Sequence, residues 1–200
     1  MAPKDDSSVS RRDFFKSAGV GGLATGLLGQ AELRARQGVR EIGPGAVPIQ
    51  LMINGRRHEL TVEPRVTLLD AVRTRLDITG VKRVCDRGTC GACTMMLDGR
   101  TVYACSILAI EAQGRNIRTI EGLGTERALH PVEESFCEHD ALMWGFCTPG
   151  FVMATTALLE QTPNPTPDEA RRALDGNICR CGTYKKVLEA ALATRGVRRG

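Results

Sequence analysis

The sequence predicts an α+β protein in which a small sheet-containing domain precedes an all-helical domain. Alternating apolar residues over Val47–Ile53, followed by the turn dipeptide Asn54-Gly55, indicate a β-hairpin near the start. Helix-capping residues and helical periodicity dominate beyond residue 125. Eight cysteines fall in both halves, most of them closely spaced, so each half offers a potential metal-binding segment.

Residues 1–45 are expected to be an export signal and a flexible lead. The run SRRDFFK at residues 10–16 precedes a weakly apolar, Gly-rich stretch over residues 17–28, and together they resemble a twin-arginine signal. A signal's apolar region spans roughly 7–15 residues, whereas a membrane-spanning helix needs about 20 without such glycines. The lead therefore predicts export to the periplasm and no membrane span, with the cleavage point open.

Residues 46–122 are expected to form the α+β domain. Leu60 and Val62 lie on the second strand of the hairpin, and Thr67 with Asp70 begins a helix in a capping-box-like arrangement. The elements that follow are a second hairpin over residues 94–103, turning at Asp98-Gly99, and a closing strand over Asn116–Ile120.

Residues 123–200 are expected to be helical, with the first helix starting at Pro131. Thr166 as N-cap, Pro167 in the first turn and Gly176 just beyond the end delimit a second helix. A third helix is expected over residues 184–193.

Composition narrows the classes of function. Apolar residues make up 42% and charged residues 25% of the chain, as in ordinary globular domains. Net charge is +4, but the basic residues crowd both ends and only 4% of residues are aromatic, which argues against nucleic-acid binding.

The first cysteine group comprises Cys85, Cys90, Cys93 and Cys105. It reads C-x4-C-x2-C followed by eleven intervening residues, which is the spacing of plant-type [2Fe–2S] ferredoxins. The intervening glycines permit sharp turns, so we expect the sulfurs to converge on one metal centre and not to form disulfides. Zinc is the structural rival, although only Cys90 and Cys93 have zinc-knuckle spacing.

The second cysteine group lies in GFCTPG at residues 145–150 and NICRCGTY at residues 177–184. With CDRGTCGACT at residues 85–94 and EHDAL at residues 138–142, these motifs resemble the small iron–sulfur subunits of the xanthine dehydrogenase, aldehyde oxidoreductase and carbon monoxide dehydrogenase family. The resemblance covers about residues 47–195. The signal is most similar to that of the periplasmic aldehyde oxidoreductase branch.

This resemblance implies a β-grasp ferredoxin domain followed by a four-helix bundle, each holding one [2Fe–2S] cluster. It further implies a partner subunit with a molybdenum–pterin cofactor that oxidises an aldehyde or an N-heterocycle. Electrons would leave to an FAD-binding subunit or a haem protein such as cytochrome c. The chain itself would be an oxidoreductase subunit without catalytic residues, because its task is to position cofactors and set their potential.

One pair of the second group departs from the family pattern, which uses C-G-x-C and C-x-C. Trp144 stands where a cysteine is expected, and Met143 replaces the glutamine that touches the pterin in relatives. An indole offers only an N–H donor and no metal ligand. Cys147, Cys179 and Cys181 are therefore three thiolates where four are expected.

Several ways of completing this site remain open. Cys137 lies seven residues before Trp144. Along a continuous helix this separation is a rise of about 10 Å, which is far longer than one metal–ligand bond. The alternatives are a water or hydroxide ligand, a labile cluster, or no second cluster. The last would make the chain a stand-alone single-cluster carrier or docking protein with a degenerate second site.

Overall fold

The structure is a computed structural model that describes residue 12 and residues 42–196. The predicted signal and lead lie outside these residues, apart from residues 12 and 42–45. The described fold begins with the predicted hairpin, β1 (Val47–Ile53) and β2 (Arg56–Val62). Its turn residues Asn54 and Gly55 have left-handed backbones, with φ of 51° and 75°, as a two-residue type I′ turn requires.

A short helix follows the hairpin. In α1 (Leu68–Asp70) the hydroxyl of Thr67 accepts a hydrogen bond from the Asp70 amide at 3.2 Å, so the predicted cap is confirmed. The chain then continues as a π-helical turn over Ala71–Arg75. The remaining strands are β3 (Thr94–Leu97), β4 (Arg100–Tyr103) and β5 (Asn116–Arg118).

The closing strand is shorter than the sequence predicts. Ile120 opens a 3-10 turn over Ile120–Gly122 instead of ending β5. The reason is that the Thr119 amide donates to the side-chain oxygen of Asn54 at 2.9 Å and so leaves the ladder.

The five described strands form one mixed sheet in the order β2-β1-β5-β3-β4. β1 and β5 run parallel, with Met52 opposite Asn116, and the other pairs are antiparallel. The helical turn packs on the sheet through fully buried Leu51, Leu68 and Met95. Each such side chain contributes roughly 1.5–3 kcal/mol by leaving water.

The second part contains four described helices: α2 (Pro131–Glu138), α3 (Thr148–Gln161), α4 (Pro167–Leu174) and α5 (Tyr184–Ala193). The predicted starts at Pro131, Pro167 and Tyr184 are confirmed. Phe136, Phe151 and Val187 lie in the core between these helices.

The two parts pack directly on each other through α3 and β3. Met96 of the sheet is buried against Met153 and Ala157 of the helix. An ion pair between Arg118 and Glu160, 2.7 Å apart, lies beside this contact. No helix within the described residues is long and apolar enough to cross a membrane.

Candidate functional site

The first cysteine group lies in the irregular segment before β3. Three residues of that segment, Asp86, Gly88 and Gly91, have left-handed backbones with φ of 54°, 69° and 70°. A Cβ on Gly88 would lie 2.6 Å from the Ser106 hydroxyl, and at a φ of 69° any residue with a Cβ would be strained. This winding brings the loop cysteines close to Cys105, which lies in the 3-10 turn after β4.

The four thiols of this group form two pairs. Cys93 and Cys105 are buried with their sulfurs 3.5 Å apart, while Cys85 and Cys90 are half-buried and hydrogen-bond through their side chains. Among the described residues, no group of three or more His, Cys, Asp or Glu is placed to hold a single metal ion, so the predicted metal centre stays a prediction. A two-iron cluster bound by four cysteines takes two thiolates on each iron, and two pairs of thiols fit that donor set.

Backbone amides point at these sulfurs. The Gly88 amide donates to the Cys105 sulfur at 3.1 Å and the Thr89 amide to the Cys85 sulfur at 3.4 Å. Burial raises the pKa of Cys85, but hydrogen bonds from the loop amides and Cys90 outweigh it and bring that pKa to about 6. Amide donors of this kind stabilise ligated sulfur and tune the potential of an iron–sulfur cluster.

The pKa of the buried Cys93 shifts in the opposite direction. Burial, together with the neighbouring Cys105 thiol, raises the pKa of Cys93 to about 12. Iron binding must therefore release a proton from Cys93, because only the thiolate ligates metal.

The second cysteine group lines one small cavity of about 80 Å³. Cys147 immediately precedes α3, and Cys179 and Cys181 lie in the loop before α5. The Cys147 and Cys179 thiols hydrogen-bond to each other, and the Cys179 sulfur is 3.1 Å from the Thr183 hydroxyl. The structure thus brings the three predicted ligands to the same place.

The two paired thiols of this group differ in proton affinity. Burial raises the pKa of Cys179, yet hydrogen bonds from Thr183 and from Cys147 prevail and lower it to about 7. Burial and the adjacent Cys179 raise the pKa of Cys147 to about 12.

Trp144 lies at the rim of this cavity and not inside a packed core. It sits in the irregular segment between α2 and α3, 76% exposed, with its ring 5.2 Å from that of Phe146. Met143 beside it is 69% exposed.

Cys137 does not stand on a helix shared with Trp144. The helix α2 ends at Glu138, and His139 caps its C-terminus, so the estimate from the rise of a continuous helix does not apply. Cys137 is exposed in the last turn of α2 and is absent from the residues lining the cavity.

Sequence reasoning missed the residues that join the two cysteine groups. The Ile178 amide donates to the Cys90 carbonyl at 2.9 Å, and the buried Asn177 side chain donates to the Gly91 carbonyl at 2.9 Å. The Tyr103 hydroxyl donates to the Gly176 carbonyl at 2.7 Å. A polar residue two positions before a ligand cysteine was a signal, but nothing local identifies a partner 86 residues away.

Family comparisons match both halves. The family described as 2Fe-2S iron-sulfur cluster binding domain matches residues 51–118, and the family described as [2Fe-2S] binding domain matches residues 119–192.

Similar proteins cover most of the chain. The aldehyde oxidoreductase iron-sulfur-binding subunit PaoA of Escherichia coli O157:H7 is 38% identical over 200 residues, covering 92% of this chain and 87% of the relative. The nicotine 6-hydroxylase small subunit of Paenarthrobacter nicotinovorans is 47% identical over 150 residues, covering 75% of this chain and 90% of the relative.

A solved structure is similar to this chain as well. Quinoline 2-oxidoreductase from Pseudomonas putida 86 superposes with a TM-score of 0.71 at 39% identity, covering 74% of this chain and 91% of the solved chain. With two [2Fe–2S]-binding domains and these relatives, the chain belongs to the family of small iron–sulfur subunits of molybdenum hydroxylases, in which it has the electron-transfer role.

Proposed function

We propose that this chain conducts electrons between a subunit holding a molybdenum–pterin cofactor, which oxidises an aldehyde or an N-heterocycle, and an acceptor that is an FAD-binding subunit or a cytochrome c. One observation carries the proposal: Cys90 of the first group lines the same cavity as Cys147, Cys179 and Cys181. The hydrogen bond from Ile178 to Cys90 holds the two loops together. Cofactors bound at both groups would be close neighbours.

The first group has the complete donor set. Cys85, Cys90, Cys93 and Cys105 would hold a [2Fe–2S] cluster, which when bound supplies one-electron transfer. The protein contributes fixed ligand pairs and amides directed at sulfur, so these residues set the potential. We also propose that the first part is a β-grasp ferredoxin domain and that the second part is a four-helix bundle.

The face that meets the molybdenum subunit is the apolar surface around the second group. Its members are large apolar side chains that are exposed among the described residues: Val84, Met143, Trp144, Phe146 and Ile178. All five line the cavity of the second cysteine group. An exposed apolar cluster of this kind is typical of a protein interface, and its continuity with the cysteines would bring the partner's cofactor near them.

The partner is tested by affinity capture of the full chain from its own organism, followed by metal analysis. We expect recovery of a molybdenum-containing subunit, and substitution of Phe146→Asp should abolish it. The matched control is Leu129→Asp, an exposed apolar residue outside this surface. Capture without molybdenum, from a chain whose first cluster is intact, would contradict the proposal.

Trp144 and Met143 favour a second candidate function, a stand-alone single-cluster carrier or docking protein. Anaerobic purification followed by iron and acid-labile sulfide assays separates the two candidates. Iron for a single cluster, with no molybdenum partner, would favour the carrier.

We also propose that the chain is exported to the periplasm. The twin-arginine-like run at residues 10–16 supports a periplasmic location, since that pathway carries folded, cofactor-loaded proteins. Replacing both arginines of the run by lysine should retain the chain in the cytoplasmic fraction, whereas the wild type should appear in the periplasmic fraction. Periplasmic recovery of the double variant would contradict the assignment.

A further inference from the structure

We infer that the second cysteine group is a thiol–disulfide site and not a cluster site, and that Cys147 and Cys179 form a reversible disulfide there. The oxidant belongs to the disulfide class, of which oxidised glutathione is the probe used below. The inference goes beyond the proposed function and leaves it standing. Cys90 of the first group lines the same cavity, so the first cluster would still lie next to the surface that meets the partner.

The donors around this cavity do not complete a [2Fe–2S] cluster, which takes four ligands. The group supplies three thiols, those of Cys147, Cys179 and Cys181. Trp144 holds the fourth position of the motif, but its indole has no lone pair for a metal, and the residue is 76% exposed at the rim. Among the described residues that line the cavity, the other sulfurs are those of Cys90, which belongs to the first group, and of the largely exposed Met143.

Two of the three thiols are already paired. Cys147 immediately precedes α3, Cys179 lies in the loop before α5, and their side chains hydrogen-bond to each other. Sulfurs in hydrogen-bonding contact lie only a short approach from the S–S bond length of about 2 Å. The fold therefore brings together two cysteines from separate segments in the way that a disulfide requires.

Backbone hydrogen bonds hold both members of the pair. The Cys147 carbonyl accepts from the Phe151 amide at 3.1 Å in the first turn of α3. The Cys179 amide donates to the Tyr184 hydroxyl at 2.9 Å, and its carbonyl accepts from the Gly182 amide at 3.3 Å. Because each thiol is held beside the other, closure within the pair is favoured over capture of a second external thiol.

The reaction is thiol–disulfide exchange. Cys147 is the less buried of the two thiols, and the exposed rim at Trp144 and Phe146 gives the oxidant access to it. The Cys147 thiolate attacks one sulfur of the oxidant and displaces one thiolate, which gives a mixed disulfide. The Cys179 thiolate then attacks the Cys147 sulfur and displaces the second. The two cysteine protons pass to the departing thiolates, and two electrons reduce the S–S bond of the oxidant.

The disulfide would lie directly beneath the apolar surface assigned to the partner. Phe146 precedes Cys147, Ile178 precedes Cys179, and both apolar residues belong to that surface. Bridging the two cysteines would fix these apolar residues relative to each other. The proposed export would supply an oxidising compartment, in which disulfides persist.

The test uses the full chain, purified anaerobically so that the first cluster is retained. The chain is equilibrated with oxidised glutathione, its free thiols are blocked with iodoacetamide, and its peptides are identified by mass spectrometry. Trypsin cuts after Arg180 and so places Cys179 and Cys181 on separate peptides. We expect a cross-link between Cys147 and Cys179 that dithiothreitol reverses. Iron and acid-labile sulfide should amount to one cluster in the same preparation.

Substitutions connect this cross-link to stability. Oxidation should raise the midpoint of thermal unfolding of the wild type by about 5–15 °C, because the bond closes a long loop. Cys147→Ser and Cys179→Ser should each abolish the cross-link and the rise. Cys137→Ser is the matched control, since this exposed thiol is absent from the residues lining the cavity, and it should behave as the wild type does. A second digestion that cuts after Glu138 separates Cys137 from Cys147.

Three outcomes would overturn the inference. The first is iron and sulfide for two clusters in the wild type. The second is recovery of Cys147 and Cys179 after oxidation as blocked thiols or glutathione adducts, and the third is a cross-link in which Cys181 or Cys137 replaces either member. The proposed function fails separately, if the electron paramagnetic resonance signal of the first cluster is missing or no molybdenum subunit is captured.

Discussion

The fold shifts the pKa values of individual cysteine thiols in opposite directions. In the folded, iron-free chain the amide-bonded Cys85 and the Thr183-bonded Cys179 ionise at pKa values of about 6 and about 7. The buried Cys93 and the half-buried Cys147 ionise only at about 12. Since the ordinary value is 9.0, the two kinds of thiol make stability depend on pH in opposite directions.

The stability of the iron-free chain should therefore peak near pH 9. Between pH 6 and 9 the unfolded chain binds more protons than the folded one, because Cys85 and Cys179 are thiolates only when folded, so the free energy of unfolding rises with pH. Above pH 9 it falls, since unfolding then ionises Cys93 and Cys147. Urea unfolding with a chelator and a reductant measures this. Cys85→Ser should flatten the rise, and a wild-type stability that falls from pH 6 to 9 would contradict the account.

Gly91 offers a second test at the scale of one residue. Its φ is +70°, and a Cβ there would lie 2.6 Å from both the Asn177 amide nitrogen and the Gly176 carbonyl. Gly99 has the same backbone, φ +77°, with nothing within 4 Å. Gly99→Ala should cost about 1–2 kcal/mol from backbone strain alone. Gly91→Ala should cost more and weaken the first cluster; equal losses in urea unfolding would show that the contact is not tight.

Among the secondary-structure elements, α4 has the cap that the sequence shows most clearly. The Thr166 hydroxyl accepts from the Glu169 amide, and the Glu169 carboxylate accepts from the Thr166 amide at 2.7 Å. Thr166→Ala should lower the free energy of unfolding by about 1 kcal/mol. Thr166→Ser keeps the acceptor and should lose little, so a comparable loss in both variants would point away from capping.

The elements that could be predicted are those whose signals are local. The turn residues Asn54-Gly55 and Asp98-Gly99 adopt the left-handed backbones expected of them, and Thr166 and Thr67 cap their helices. The failure has a distant cause. Asn54 accepts a hydrogen bond from the Thr119 amide, 65 residues away, and this shortens β5.

For the molecule as a whole, sequence spacing identified the cysteines but not their mutual arrangement. Spacing alone does not show how the four sulfurs of the first group are arranged, and in the fold they lie as two pairs. It also gave no sign that Cys90 would share a cavity with Cys179, because that contact depends on packing between segments almost 90 residues apart. The proximity of the two groups is thus a property of the tertiary fold.

The bonds of Asn177 and Ile178 should control how firmly the two halves hold together. Asn177→Leu removes the hydrogen bond to the Gly91 carbonyl while keeping a similar volume, which should cost about 0.5–1.5 kcal/mol. If this contact holds the loops, exchange of the neighbouring Ile178 amide, bonded to Cys90, should quicken by up to about tenfold in hydrogen-exchange measurements. Tyr103→Phe removes the outer bond to Gly176 and should have a smaller effect. Unchanged Ile178 exchange in Asn177→Leu would mean that packing of α3 on β3, and not this pair of loops, fixes the two iron–sulfur sites relative to each other.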